Sequence, residues 1–472
     1  MSSLAGITAQ PIRFYPPKTP LQYGVRETPG RFNRIRWATV GLTQALFFGL
    51  CWASWQGRPL VGFDFSRQQI HLFGAILGPQ DLFLLALLLI AGALALFAVS
   101  AIAGRLFCGF ACPQTVYTAM FLWIEQRLQG SPGHRARRAR EGARFQIGLR
   151  RAATWAAWGA VSLWIGWTLV AYFSPAPDLW TRTLQGDLGP WELPGMLFYG
   201  GFTFLQAGLL REKVCQHMCP YARFQGVMGN ARTLNVSYDA PRGEPRTRPA
   251  AQASAQAADS KAGACIDCGL CVDVCPAGID IRQGAQYECI SCGLCIDACD
   301  RVMTRTRQPT GLIHFASPGG DRLGDVLRQP RIRVYGALLL AALLGVALLA
   351  LQRIPLQLDV LRDRGVMARV DRQGTVENLY RLHLQNYDTA AHDYAITVSG
   401  LPGLRVETPQ STRIAPGEGR TLVVSVKSPA RDVAREVAPD RTRTIATLQF
   451  TVQASSDNRQ QRTRASTFLF PH

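Results

Sequence analysis

The sequence predicts a multi-domain membrane protein: an α-helical transmembrane bundle of five spans, a small α+β module inserted before the fifth span, and a C-terminal β-sandwich. Three observations predict it. Five windows of about 18 to 22 residues carry no Asp, Glu, Lys or Arg, the length that crosses a hydrocarbon core. Eight cysteines fall in two copies of one short spacing, and after Gln352 the apolar period changes from helical to two-fold. The chain has 472 residues, 48% of them hydrophobic and only 18% charged, which excludes both a wholly soluble protein and wholesale disorder.

The spans are expected at 37–55, 82–103, 152–172, 193–210 and 334–352, with Trp37, Trp55 and Tyr172 at ends where aromatic rings favour the interface. The first window lies too deep in the chain, and lacks a following small-residue cleavage site, to be a signal peptide. Lys and Arg number 6 in 1–36, 2 in 56–81, 9 in 104–151, 1 in 173–192 and 16 in 211–333. The positive-inside rule therefore predicts a cytoplasmic N-terminus and, after five spans, a tail on the opposite side. The net charge of +19 is mostly juxtamembrane. The run from His134 to Arg140 accordingly reads as a topological anchor touching lipid headgroups, and nucleic acid is not expected as a partner.

Of the 13 cysteines, 12 lie in the predicted cytoplasmic segments, where thiols stay reduced and grouped cysteines do metal or redox work. Cys265, Cys268, Cys271 and Cys275, then Cys289, Cys292, Cys295 and Cys299, each follow C-x2-C-x2-C-x3-C. That spacing turns three thiolates toward one cubane and sends the fourth to the other, as in a two-cluster ferredoxin-like module. One [4Fe-4S] group would take Cys265, Cys268, Cys271 and Cys299, the other Cys289, Cys292, Cys295 and Cys275. Gly269 and Gly293 fall where the loop backbone passes close to sulfide, and Asp300 stands where a proline is expected after the last cysteine. Thiolates fill every iron site, so the module alone is an electron carrier.

Cys108-Gly-Phe-Ala-Cys112-Pro113 and Cys215-Gln-His-Met-Cys219-Pro220 each follow a predicted span by four residues. Both C-x3-C-P units are expected at the cytoplasmic membrane surface, cysteines at i and i+4 on one helix face and the proline opening the next helix. Arg105, Arg211 and Lys213 nearby favour thiolates. Four such thiols suit a soft ion, above all Cu(I), and preferential Cu(I) binding favours reduction of Cu(II). His217 is a candidate additional ligand, and Cys51, inside the first span, reads as a packing residue.

Residues 241–263, rich in Pro, Arg, Ala, Gln and Ser, read as a flexible linker. The domain plan is thus 1–36 a cytoplasmic N-terminal segment, 37–240 a four-span membrane domain, 264–310 the two-cluster module, 311–333 a connector, 334–352 the fifth helix and 353–472 an outer domain. In that tail, short strands at 356–361, 379–384, 394–398, 421–426, 445–452 and 466–470 predict an immunoglobulin-like β-sandwich with no cysteine pair. No C-x-x-C-H, no span histidine for haem and no nucleotide loop is found. The electron donor is not identified by the sequence, and a quinol site leaves little sequence pattern.

This order of parts resembles the CcoG family, also called FixG or RdxA, over nearly the whole chain. The stretches from Cys108 to Tyr117 and from Cys219 to Gln225 look like that family's membrane motifs. The resemblance implies a multi-pass protein of the bacterial inner membrane, clusters cytoplasmic and sandwich periplasmic. It further implies a cupric reductase that supplies Cu(I) for assembly of the cbb3-type cytochrome c oxidase, with copper as substrate or bound ion and copper-delivery or oxidase-assembly proteins as partners. A homodimer is compatible with this. The C-x3-C-P unit is also similar to that of NapH- and NosR-like membrane ferredoxins, which leaves a quinol-linked ferredoxin feeding another reductase, or a non-catalytic redox sensor or assembly scaffold, as alternatives.

Overall fold

The computed structural model describes residues 25–246, 263–321, 323–363, 368–370, 375–401, 403–407, 411–428, 445–457 and 459–470. Most of the predicted N-terminal segment, and the linker from 247 to 262, lie outside the described residues. The chain forms two compact units, one of Met1–Trp52, Leu89–Tyr172 and Ala176–Leu343, the other of Ala53–Leu88, Phe173–Pro175 and Leu344–His472.

Four helices among the described residues are long and apolar enough to cross a membrane: Pro79–Ala103, Leu106–Gln129, Glu192–Leu210 and Pro330–Leu351. Three of them meet expected spans. The spans expected at 37–55 and 152–172 fall instead in α1 (Arg31–Leu50) and α6 (Arg144–Val170), helices of 20 and 27 residues. At 1.5 Å per residue these are about 30 and 40 Å long, enough to span, but each opens with several arginines that lower its apolarity. The first also stops early, because the chain turns at Cys51 into the hairpin of β1 (Ser54–Trp55) and β2 (Arg58–Pro59).

Leu106–Gln129, which the sequence did not single out, is broken at Cys112 into α3 (Leu106–Phe110) and α4 (Pro113–Gln129). At the front of α4, Gln114 Nε2 donates to the carbonyls of Gln206 and Arg211, each at 3.0 Å. At its far end Gln129 Nε2 donates to Thr154 Oγ1 (3.0 Å), and Arg150 Nη1 to the Leu128 carbonyl (2.7 Å). Both ends of α4 are therefore tied to helix ends that the basic-residue counts put on one side. After α5 (Pro132–Arg140) and α6 come α7 (Ala176–Gln185) and α8 (Glu192–Thr203), which continues as a π-helical stretch over Phe204–Leu210. Trp164 and Trp167 stack at 5.1 Å beside Trp180 and Trp52, an aromatic cluster packed next to Cys51, which is buried as a packing residue.

The cluster module is larger than 264–310. Strand β6 (Asn235–Tyr238) precedes it and pairs antiparallel with β7 (Ile313–Ala316), so part of the expected connector closes the module's own sheet. The expected linker also begins late. Residues Ala240–Gly243 form a helical turn, α10, capped by Asp239, and Gly263 N donates to the Pro245 carbonyl at 3.0 Å, which brings the two ends of segment 247–262 together. Between the strands lie α11 (Leu270–Asp273) and α12 (Leu294–Arg305), followed by α13 (Leu323–Leu327) and α14 (Pro330–Leu351).

In the second unit the sandwich has the expected strands, lengthened. One sheet orders Arg405–Glu407, Gly419–Ser428, Val376–Asn386 and Leu356–Arg362, with Arg369–Val370 also on Val376–Asn386; the other orders Ser411–Ile414, His392–Ser399, Ile445–Ala454 and Gln461–Leu469. Strict alternation along Val376–Asn386 turns Tyr380, Leu382 and Leu384 inward against Tyr394, Phe450 and Phe468. The loop between α1 and α2 (Leu82–Ala103) belongs to this unit as a three-stranded meander of β3 (Val61–Asp64), β4 (Gln69–Leu72) and β5 (Ala75–Leu77). Gln69 Nε2 donates to the Gly417 carbonyl at 2.7 Å, and Arg353 pairs with Asp81 at 2.8 Å. A Cβ at Gly78 would meet the Tyr387 ring at 2.2 Å, so only glycine fits there.

A meander seated on the sandwich requires both on one side of the membrane. Phe65→Cys and Ser455→Cys, at exposed positions on loops of each, should react with a membrane-impermeant thiol reagent from the same face of sealed vesicles. Labelling from opposite faces would disprove the packing.

Candidate redox and metal site

The two cysteine loops have the same backbone. Asp267 and Ser291, one residue before the second cysteine of each run, have φ of 49° and 52°, and Gly269 and Gly293 have φ of 72° and 74°. This left-handed turn leads in each run into a helix that carries the third cysteine; Cys299 lies on the same helix as Cys295, whereas Cys275 follows the end of α11. Cys265, Cys271 and Cys292 are buried, whereas Cys268 is exposed. The charges that bear on Cys299 are those of Cys271, Asp300, Cys265 and Cys268; those that bear on Cys275 are Cys292 and Cys289. The fourth cysteine of each run thus stands among the first three of the other, and the donor set fits two [4Fe-4S] groups. Burial pushes the Cys271 and Cys299 thiols up to about 12 and Cys289 to about 11. Asp300, in the unexpected position, caps the following loop by accepting from Gly311 N at 2.8 Å.

The module is clamped onto the helices of its own unit. Asp297, in the first turn of α12, accepts from the amides of Phe32 (3.1 Å) and Asn33 (2.8 Å), capping the N-terminus of α1 from a distant part of the chain. A Cβ on Gly30 would lie 2.1 Å from the Asp297 carboxyl carbon. On α3, a Cβ on Gly109 would lie 2.6 Å from the Ile290 carbonyl and 2.9 Å from Cys292 Cα, so helix backbone rests directly on the second cysteine loop. Cys108 accordingly packs in one apolar cluster with Ile290, Cys292 and Leu294. Arg105, nearly buried, lies 4.4 Å from the Tyr287 ring centre and donates to the Ala222 carbonyl, bridging the module, α3 and α9 (Pro220–Met228).

Each C-x3-C-P cysteine pair straddles a break. Cys108 sits in α3, and Cys112, in extended conformation, is the N-cap of α4 with Pro113 as its first residue. Cys215 lies in a π-helical turn, Val214–Met218, and Cys219 is the N-cap of α9 before Pro220. The proline starts the next helix as expected, whereas neither pair occupies one face of a continuous helix. The pairs do meet: Cys112 and Cys219 both bear electrostatically on Cys215. Cys108 Sγ donates to Gln225 Oε1 at 3.0 Å, and Gln225 Nε2 to Ser100 Oγ at 2.8 Å. Gln225 entered the sequence reading only as the end of the Cys219–Gln225 stretch, with no role of its own, and Glu212, whose carboxyl is pushed above the usual carboxylate range by burial, was not singled out. His217 is exposed on the turn between Cys215 and Cys219.

The expected electropositive environment is outweighed. Burial pushes the Cys215 thiol up to about 12, with neighbouring thiols and Glu212 acting in the same direction and only Arg105 opposing. Arg211 is spent elsewhere, on the Gly208 carbonyl, Glu125 and the face of Trp158. Among the described residues no three His, Cys, Asp or Glu side chains converge tightly enough to hold a single ion.

Residues 210–318 match a family described as "4Fe-4S dicluster domain", 85–132 one described as "4Fe-4S binding domain", and 346–471 one described as "IG-like fold at C-terminal of FixG". The chain is similar to "Nitrogen fixation protein FixG" of Rhizobium meliloti (strain 1021), 32% identical over 440 residues that cover 85% of this chain and 83% of that protein. It is likewise similar to "Protein RdxA" of Cereibacter sphaeroides, 34% identical over 406 residues covering 83% and 84%. Among solved structures, a FixG-related protein from Vibrio parahaemolyticus matches 24% of this chain and 95% of its own, at 26% identity and a TM-score of 0.21.

Anaerobically prepared protein should hold about eight iron per chain. Cys275→Ser should erase the paramagnetic signal of the group held by Cys289, Cys292 and Cys295 and spare the other; loss of the other alone would refute the crossing. Gly109→Val should disturb that same group, whereas Gly49→Ala, with no atom within 4 Å of the added carbon, should not.

Proposed function

The chain belongs to the FixG and RdxA family, an iron–sulfur oxidoreductase-type membrane protein, and from that premise we propose that it reduces Cu(II) to Cu(I) at Cys108, Cys112, Cys215 and Cys219. The observation that carries the reading is the seating of Gly109 on the Cys292 loop, which holds Cys108 in the same apolar cluster as a ligand of the second iron–sulfur group. When bound, the two groups supply one-electron carriage. Reduction of one Cu(II) takes one electron and no proton, so the chain's task is to hold the ion close to that supply.

The thiols suit this task. They are soft donors that prefer Cu(I), and because burial holds the Cys215 thiol protonated, ion binding must release that proton. Two thiolates suffice for a low-coordinate Cu(I), so the remaining pair would allow its transfer onward, as a supplier of copper requires. At the other end, exposed Cys268 offers a soluble or membrane donor access to the first group. His217 would add a nitrogen ligand. The Cu(I) would serve assembly of a cbb3-type cytochrome c oxidase through copper-delivery or oxidase-assembly proteins.

The same reading puts the N-terminus, the cysteine module and both C-x3-C-P breaks in the cytoplasm of a bacterial cell and the sandwich in the periplasm. The basic-residue counts support it, and so does the shared unit of the 61–77 meander and the sandwich. In this topology α1, α2, α6, α8 and α14 cross, while α4 begins and ends on the cytoplasmic face. A second reading is favoured by the 85–132 match, whose only cysteines are Cys108 and Cys112: the four thiols would hold an iron–sulfur group of their own, and the count would rise to about twelve iron.

Cys108→Ser with Cys215→Ser should abolish copper binding and leave the iron content unchanged. Reduced protein given Cu(II) and a Cu(I)-specific chelator should yield Cu(I) as its cluster absorbance returns to the oxidised form, and protein oxidised beforehand should yield markedly less, because thiols alone also reduce Cu(II). Equal yields would sink the catalytic reading and leave a copper-binding scaffold.

A further inference from the structure

A cavity of about 720 Å3 opens between α4, α5, the start of α6 and the end of the α8 extension. Five guanidiniums line it, those of Arg135, Arg138, Arg150, Arg151 and Arg211, against the single carboxylate of Glu125, a net formal charge of +4. Glu125 pairs with Arg135 and Arg211. Among the described residues Arg138 and Arg150 each make one hydrogen bond, from Nη1 to the carbonyls of Gln129 (2.8 Å) and Leu128 (2.7 Å), which leaves most of their N–H donors for a ligand. Arg135 Nε is buried and has no hydrogen-bond partner among the described residues. Gln129 apart, the remaining side chains of the wall are apolar, chiefly Ile147, Trp155, Trp158 and Leu209, and Trp155 and Leu209 are 52% and 51% exposed.

We propose that this cavity binds the phosphate of an anionic phospholipid headgroup, with an acyl chain lying along Trp155 and Leu209. Guanidinium forks match phosphate oxygens two at a time, and basic pockets between helices at a membrane face take anionic headgroups. A neutral amphiphile would leave the four excess charges uncompensated. A soluble anion would leave the exposed tryptophan and leucine unused. The site adjoins the second thiol pair, because Arg211, which lines it, adopts a φ of 48° at the break four residues before Cys215. The inference rests on the chain being a membrane protein and is independent of copper.

Delipidated full-length protein in detergent would be titrated with dihexanoyl phosphatidylglycerol, dihexanoyl phosphatidylcholine and inorganic phosphate, and bound ligand counted by native mass spectrometry. One phosphatidylglycerol should bind per chain, more tightly than the other two. Arg138→Gln with Arg151→Gln, neither of which contacts Glu125, should weaken it about thirtyfold with iron content unchanged. Trp155→Ala should weaken the lipid while leaving inorganic phosphate unaffected. Phosphatidylcholine binding as tightly would overturn the charge argument, inorganic phosphate binding as tightly would overturn the lipid, and unaltered affinity in both variants would overturn the site.

Discussion

The contact on which the redox architecture depends is backbone on backbone: α3 at Gly109 lying on the loop of Ile290 and Cys292. Electron transfer weakens steeply with separation, and a side chain at that position would force the two elements apart. Gly30 does the same for the Asp297 carboxylate, allowing it within reach of the first amides of α1. Two glycines far apart in sequence thus let an iron–sulfur module sit directly on a helix bundle. Arg105 then bridges the seam with its cation over Tyr287 and its donor on the Ala222 carbonyl.

At the thiol site two effects compete, burial and positive charge, and burial prevails. One nearly buried arginine cannot offset the desolvation of several thiols and the nearby Glu212 carboxyl. Burial therefore favours the neutral thiol at Cys108, Cys112 and Cys215. The extended Cys112 and Cys219, each at a helix start, mark places where a chain break was accepted to bring sulfur to the site.

Patterns that repeat were legible in the sequence. The two cysteine runs gave their matching loop turns, the prolines of both C-x3-C-P units gave the helix starts, and alternation gave the long sandwich strands. What could not be read rests on pairing between distant segments. Strand β6 alternates over only four residues, Asn-Val-Ser-Tyr, too short a run to stand out, and its partner β7 lies about 75 residues further along the chain. The meander at 61–77 is not among the elements expected from the sequence, since its strands are short and its cover comes from the far end of the chain. Leu106–Gln129 escaped because Arg127 and Glu125 interrupt its apolar run, although packing satisfies Glu125 with two arginines.

The meander has a consequence for timing. Leu77 leaves the ribosome roughly 280 residues before Leu356, the first strand residue of the sandwich that covers it. At bacterial synthesis rates of about 5 to 20 residues per second, that is about 15 to 60 s in which the meander has been made and its partner has not. During that interval the second unit exists only as an unfinished surface, open to a chaperone or a protease, and quality control of the nascent chain can act there before the sandwich closes over it.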